Sequence, residues 1–326
     1  MSTYELVRTT NTILSLYYVE GLTQTEIGQR LGLSTAKVNR LLQQAREQGY
    51  VNITIRTPFQ HLFELEARLK AIFKIQEAIV IPALAESSSS MLSPLGDVAA
   101  EFLLKHLQNG DVLGIGGGTA VHSVVQALSS LNPHPIQVKV VPILGAVQGQ
   151  ITTDVNYLAA HLAEHLGGKA YQLHAPAFVD TPEHSRTLQS IGPVKEILDI
   201  ARNANIALLG VGTVDAEASR FVQFTALSPE DMRKIAAGCG GVGEIGAYVY
   251  NIDGKPCASE YAGRVIGLTL EEIQDIPFRI GVAATAAKAL PLYGALRGGY
   301  LHALITDEAA ASGVLDLFDQ GFRKNL

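Results

Sequence analysis

From about residue 77 onward the chain repeats one pattern: a short, nearly continuous apolar run, a turn, then a helical stretch. No other feature limits the fold as much. Runs suited to strands are Ala78–Ile81, Val112–Ile115, Val138–Leu144, Ala170–His174, Ile206–Val211, Ile245–Tyr250, Val265–Leu268, Arg279–Ala283 and Leu301–Thr306. Helical segments such as Val98–Leu107, Ala120–Leu128, Asn156–Leu166 and Ala284–Leu296 lie between many of them, and Ser87–Ser90 reads as a polar loop. A strand that is apolar on both faces must be covered on both faces. Joining parallel neighbours takes a crossover, usually a helix. The alternation therefore predicts a doubly wound α/β domain with a mostly parallel sheet. In such sheets ligands bind at the carboxyl ends of strands, where loops lead into helices.

Three of those loops have the chemistry to hold a ligand. Asp111–Ala120 runs from a strand into Gly116, Gly117 and Gly118, and Thr119 then starts a helix. Glycines let the backbone approach an anion, and the free N–H groups and dipole of the helix favour a phosphate there. The segment lacks the Gly-Lys-Ser/Thr of a P-loop and the spacing of a dinucleotide fingerprint. A generic phosphate cradle and a plain tight turn both fit it. Leu208–Thr213 repeats the design and ends in Gly-x-Gly-Thr, with Gly212 as its second glycine. Gly240–Gly246 brings Glu244, which suits either an acceptor of sugar hydroxyls or a surface turn. Lys288 follows an apolar strand among alanines, as a phosphate partner or as a solvated helix lysine.

The amino-terminal part carries a different signal. Thr23–Arg46 has the pattern of two short helices joined by a tight turn. Thr23 and Glu26 have capping-box spacing, Gly32 supplies the turn, and Ser34 caps the second helix. Ile27 and Leu31, then Val38, Leu41 and Leu42, fall on inner faces. Thr35, Lys37, Asn39 and Arg40 remain outside, the small polar and basic set that base and phosphate contacts require. An ordinary helical hairpin would share the periodicity but not that outer face. Tyr4–Tyr18 reads as a helix behind the pair, and Tyr50–Ile55 alternates like a short wing. His61–Phe73 places Leu62, Leu65, Leu69 and Ile72 on one stripe. It is either a linker helix that pairs subunits, the reading favoured here, or a helix packed on the next domain.

Charge sorts the two parts. The net charge is −6, but residues 1–56 hold six Lys/Arg against four acids, so they carry +2 and the remainder −8. A mildly basic head on an acidic body suits a regulator whose body avoids DNA. So small a surplus implies modest affinity per module, which oligomers raise by adding phosphate contacts. No apolar run approaches the ~20 residues that span a bilayer. The amino terminus lacks the basic-then-apolar layout of a secretory signal. Cys239 and Cys257 are too few for a disulfide framework or a zinc site. A reducing cytoplasm and no membrane partner are expected. His161-Leu-Ala-Glu164-His165 matches the H-x-x-E-H metalloprotease pattern, but no third ligand follows in a recognisable motif. No metal and no cofactor are assigned.

Taken in order, these segments resemble SorC-type (DeoR/SorC-like) bacterial transcriptional regulators over essentially the whole length. The head matches through Thr23–Gly32, Ser34–Leu42, Ala45-Arg46 and Gly49. The body matches through Gly114–Gly116, Leu173–Pro176, Leu209–Gly212, Gly243–Ile245 with Asp253-Gly254, Val265–Gly267, Ala295–Gly299 and Leu304–Glu308. The resemblance implies a helix-turn-helix domain over 1–56, and over 57–326 a linker helix and a sugar-binding effector domain. The effector domain would have the fold of ribose-phosphate isomerases and glucosamine-phosphate deaminases. By position, Gly116, Gly117, Gly118, Thr119 and Lys288 would hold a phosphate or its equivalent, Gly212 would line the second glycine loop, and Glu244 would meet hydroxyls. Asp253 is a weaker candidate, since turn chemistry alone explains Asp before Gly. The chain departs from the pattern at Ala284-Thr285, where relatives often have paired glycines.

The expected function is sequence-specific, sugar- or sugar-phosphate-controlled binding of operator DNA by a homodimer or homotetramer that regulates carbohydrate metabolism. An active phosphosugar isomerase or deaminase fused to a DNA-binding head ranks below it, because no acid/base constellation identifies catalysis. A DNA architectural protein whose body serves only assembly ranks lower still.

Overall fold

The structure, a computed structural model, describes residues 3–51, 58–83, 88–131, 133–147, 151–215, 228–257 and 259–321. In chain order its elements are α1 (Thr3–Leu14), continued by a π-helical turn (Ser15–Val19), α2 (Gln24–Leu31), α3 (Thr35–Glu47), α4 (Gln60–Phe73), β1 (Glu77–Ile81), α5 (Ser88–His106), β2 (Val112–Ile115), α6 (Thr119–Leu131), β3 (Lys139–Pro142), α7 (Val155–Leu166), β4 (Lys169–Ala170), α8 (Pro182–Ser190) and α9 (Gly192–Arg202). They continue with β5 (Ile206–Gly210), β6 (Gly212–Thr213), α10 (Pro229–Cys239), β7 (Gly241–Ile245), β8 (Tyr248–Asn251), α11 (Ser259–Ala262), α12 (Leu270–Gln274), β9 (Phe278–Val282), α13 (Ala289–Arg297), β10 (Ala303–Asp307) and α14 (Glu308–Asp319). Short 3-10 turns occupy Ile151–Thr153 and Ala286–Lys288. The chain forms two compact units, Met1–Pro58 and Phe59–Leu326.

In the first unit α1, its π-helical continuation, α2 and α3 close on a small core of Ile13, Leu16, Ile27, Val38, Leu41 and Leu42. Both halves of the capping box are made. The Thr23 N–H donates to Glu26 at 2.8 Å, and the Thr23 hydroxyl oxygen accepts from the Glu26 N–H at 3.3 Å. Gly32 closes α2 in the left-handed region, and Ser34 accepts the Lys37 N–H at the start of α3. The wing expected over Tyr50–Ile55 falls largely on 52–57, outside the described residues; Tyr50 and Val51 belong to no regular element.

The second unit is built on a seven-stranded parallel sheet in the order β1-β10-β9-β5-β2-β3-β4. A smaller antiparallel sheet, β6-β7-β8, stands beside it. Five expected elements differ. The run Ile245–Tyr250 is two strands, because Gly246 and Ala247 take left-handed conformations (φ 57° and 70°) and reverse the chain between Ile245 and Tyr248. Both central residues at positive φ is the two-residue hairpin geometry that suits the twist of paired strands. Val265–Leu268 makes only isolated bridges, to Phe178 and Leu144. The strand expected over Ala170–His174 is the two-residue β4. Ser88–Ser90, expected in a loop, start α5. The helix expected from Ala284 starts at Ala289, since Thr285 at φ 90° cannot join a helical run.

The stripe on α4 is consumed locally, contrary to the favoured linker reading. Leu62 and Leu69 are buried in the core of the larger unit, with Leu65 and Ile72 packed against it. The two cysteines, too few for a framework, are joined in one disulfide, Cys239–Cys257, across 18 residues. It ties the end of α10 to the segment after β8 and so brackets the β7–β8 hairpin. No helix of the described residues is long and apolar enough to cross a membrane.

Candidate functional site

Strand order locates the crevice. From β2 the chain moves outward through α6 to β3 and through α7 to β4. From β5 it moves the other way, to β9 and then β10. Right-handed crossovers running in opposite directions lie on opposite faces of the sheet. By the rule for such sheets, the expected ligand position lies between the loops after β2 and β5, at the carboxyl ends of these neighbouring strands. The loops after β2, β5 and β9 end side by side there, and they contain Gly116–Thr119, Gly210–Thr213 and Ala284–Lys288.

The first loop holds donors without acceptors. Gly116 N–H donates to Leu208 at 3.0 Å, Gly118 N–H to Thr153 at 3.1 Å, and His122 N–H back to Gly118 at 2.9 Å. Among the described residues the amides of Gly117, Thr119, Ala120 and Val121 donate to no protein acceptor. Gly118 at φ 102° lets the chain turn from the strand into α6. A row of unpaired N–H groups at the amino end of a 13-residue helix is a ready anion site.

Glu244 is on β7, opposite Gly212 of β6. A methyl group at Gly212 would land on the Glu244 carboxylate, whose atoms are its three nearest neighbours. The absence of a side chain at 212 is what lets the carboxylate lie over the second glycine loop. Its Oε2 accepts the Ala247 N–H at 3.0 Å. The residue keeps some accessible surface, but its carboxylate is deep enough that burial raises its pKa above the ordinary glutamate value, against the lowering effects of the Ala247 bond and of Lys288. Glu244 is thus a half-buried strand residue rather than a surface turn residue.

Lys288, half-buried, ends the Ala286–Lys288 turn, next to β6. Asp253 is engaged elsewhere. Its Oδ1 meets Arg297 at 2.8 Å, Arg297 lies over the Tyr293 ring, and the Asp253 N–H donates to Asn251. These contacts put it against the C-terminal half of α13 and explain it as structural. Two residues that motif reading missed also stand at this rim. Asp154 caps α7 with Oδ1, while its buried Oδ2 has no partner among the described residues. Asp307, buried at the end of β10, accepts the Thr285 N–H at 2.9 Å and the Ala310 N–H at 3.0 Å. Asp154 has no sequence signal beyond a helix-capping position, and Asp307 lies within the Leu304–Glu308 match without being singled out there.

On the head, Thr35, Asn39 and Arg40 of α3 are exposed and Lys37 is half-buried. The side chains of Asn39 and Arg40 bond to no described residue, which leaves their donors for an external partner. Arg46 is held inside the unit by the Tyr18 hydroxyl, at 2.7 Å. The His161, Glu164 and His165 cluster lies along α7. His161 stacks on Tyr157 with ring centres 4.1 Å apart and stands 3.8 Å from Glu164. The described residues contain no group of three or more such side chains arranged to hold a metal ion.

A family model described as "Putative sugar-binding domain" matches residues 57–316, and one for sigma-70 region 4 matches residues 6–48. The transcriptional regulator LsrR of Escherichia coli K12 is 32% identical over 300 residues, covering 92% of each chain. The full-length sorbitol operon regulator SorC of Klebsiella pneumoniae superposes with a TM-score of 0.73 at 27% identity, over 96% of this chain and 100% of that one. The sugar-binding domain of a transcriptional repressor from Vibrio fischeri superposes with a TM-score of 0.71 at 27% identity, over 79% and 99%.

Proposed function

The chain belongs to the SorC-type family of DNA-binding transcriptional regulators with a sugar-binding effector domain, and from that premise we propose that its effector is a phosphorylated sugar held in the crevice between β2 and β5. The observation that carries this reading is the row of unpaired amides at Gly117, Thr119, Ala120 and Val121. Gly116, Gly117, Gly118 and Thr119 cradle the phosphate, Lys288 neutralises it, and Glu244 beneath Gly212 accepts sugar hydroxyls. A neutral sugar offers these donors only hydroxyl oxygens, whereas a phosphate brings several oxygens and the negative charge that the helix dipole favours. Asp253, paired with Arg297, is given no role in this reading.

On the DNA side, Thr35, Lys37, Asn39 and Arg40 of α3 enter the major groove. A homodimer, or a homotetramer formed through the larger units, presents two such helices to two half-sites in a cytoplasmic regulator. The chain is not an enzyme in this reading. The relatives compared are named as regulators, and the carboxylates of Asp154 and Asp307 at this rim serve as helix caps. An effector acts only through its difference in affinity for the DNA-competent and incompetent arrangements.

The test is a titration of operator affinity for the full chain against sugars and their phosphates. The expected result is a shift with at least one phosphosugar and none with its unphosphorylated parent. A shift with the parent sugar alone would overturn the phosphate assignment. No change in DNA affinity or oligomeric state with any of them would overturn the sensing role.

A further inference from the structure

We infer that Asp307 is a positioning residue of the effector site, which holds Lys288 in place by gripping a strained turn at Thr285. This rests on the reading of Gly116–Thr119 and Lys288 as a phosphate site. Thr285 has φ 90° and ψ 151°, a region that is essentially the preserve of glycine. A threonine adds a branched β-carbon, so this backbone persists only where its surroundings over-determine it. The grip is visible. Asp307 is 2% exposed, and its Oδ1 accepts the Thr285 N–H from the end of β10. Three residues later comes Lys288, whose N–H donates to the Thr285 carbonyl at 2.9 Å and closes the 3-10 turn.

The same carboxylate oxygen fixes the other side. It caps α14 through the Ala310 N–H. On α14, Gly313 lies so close to Ala289, the residue after Lys288, that a methyl group at 313 would stand 2.6 Å from the Ala289 β-carbon. Lys288 is therefore bracketed by a turn and by a close helix contact, and Asp307 anchors both. Without the Thr285 bond, the threonine has no reason to stay at positive φ. Its relaxation would rotate the Ala286–Lys288 turn and carry the ammonium group away from Glu244 and the glycine loop. Glycine at 285 would keep the same backbone without strain and would not need the grip.

The experiment measures binding of inorganic phosphate to the full-length protein by calorimetry, for wild type, Asp307→Ala, Asp307→Asn, Thr285→Gly and the double variant Asp307→Ala/Thr285→Gly. Losing a charge-assisted contact corresponds to a weakening of about tenfold or more, which is the expected effect of Asp307→Ala. Asp307→Asn, which keeps an acceptor oxygen, should stay near wild type. The deciding readout is rescue: adding Thr285→Gly to Asp307→Ala should restore most of the affinity. A purely structural cap on α14 would not be rescued in this way, because glycine at 285 does nothing for the Ala310 N–H. Unchanged phosphate affinity in a folded Asp307→Ala protein, or a double variant as weak as the single, overturns the inference and leaves the site assignment standing. Wild type that binds no phosphate overturns the site assignment and this inference with it.

Discussion

Replacing Gly212 with alanine should destabilise the wild-type protein yet be neutral or stabilising once Glu244 is removed. The three atoms nearest to a β-carbon at 212 all belong to the Glu244 side chain, so the new methyl group meets one obstacle, the far end of a flexible residue. The carboxylate has to leave, and the Ala247 N–H it accepts at 3.0 Å is left without a partner. An unsatisfied buried donor costs about 1–3 kcal/mol. Gly212 is not among the glycines at positive φ, so alanine fits its backbone and restricts the unfolded chain, a gain of about 0.4–1 kcal/mol. The net loss is then roughly 1–2 kcal/mol, or a fall in Tm of about 2–4 °C per kcal/mol for a unit of this size.

In a Glu244→Ala background that cost has already been incurred, because the Ala247 N–H is already orphaned. Only the backbone gain remains, and the sign reverses. Urea denaturation of the four proteins, compared by midpoint at constant slope, reads both effects as a double-mutant cycle. Phosphosugar affinity, in the same reasoning, falls with Gly212→Ala and with Glu244→Ala but no further when they are combined. A loss of similar size from Gly212→Ala in both backgrounds would refute the argument, since the obstacle would then be something other than Glu244.

The pH dependence of Glu244 has a definite sign. Burial raises its folded pKa above the ordinary 4.5, so the native state binds the proton more tightly than the unfolded chain. Its contribution is fully present below the unfolded value and is lost as pH rises through the folded one, so wild type should lose stability relative to Glu244→Gln across that acidic window in denaturation midpoints. Thr23→Ala removes a capping box and should cost the head about 1 kcal/mol, seen as faster hydrogen exchange at the start of α2. Asn39→Ala or Arg40→Ala should weaken operator binding by about 1–3 kcal/mol and relax specificity at one base pair, measured by competition with substituted operators. If Lys37 meets phosphate instead, Lys37→Ala should weaken all sequences alike and lower the salt slope by about one. Reducing the Cys239–Cys257 disulfide should cost the larger unit about 3 kcal/mol for a loop of this length, checked by midpoints with and without a dithiol.

Sequence alone conveyed most of the fold because periodicity reports burial, and burial is what a two-faced parallel sheet demands. The strands it misplaced are those whose conformation depends on something other than burial. Ile245–Tyr250 is uniformly apolar enough to read as one strand, yet two consecutive left-handed residues fold it into a hairpin. The helix expected from Ala284 is delayed by Thr285, whose positive φ is imposed by a carboxylate 22 residues away. The glycine loops were legible because a strand that turns sharply into a helix, as at Gly118, needs glycine there. Asp154 and Asp307 were not, because a capping aspartate at a functional rim has the same sequence signature as one anywhere else. Neither was the Gly212–Glu244 contact, which pairs residues far apart in the chain.

The magnitude of the signal limits where it can leave the site. Allosteric coupling between two sites is typically about 1–3 kcal/mol. The chain leaves the head at Pro58 and enters α4 at Gln60, and α4 packs on α14, whose amino end Asp307 caps. Two ion pairs join these helices, His61–Glu308 at 3.3 Å and Arg68–Asp319 at 2.8 Å. All four side chains are more than a third exposed, and exposed pairs contribute about 0.2–1 kcal/mol each, less in salt. Together they reach only the lower part of that range, and less in salt. The same joint also has buried parts: Leu62 and Leu69 sit in the core of the larger unit, and Phe73 meets Phe318 and Tyr293 edge-on at ring distances of 6.1 and 5.8 Å. A shift of α14 that disturbed this packing would forfeit several times the energy of either surface pair. If the proposed effector acts through this packing, raising salt should weaken DNA binding far more than it weakens the response to the effector, measured by operator titrations with and without the effector at two ionic strengths.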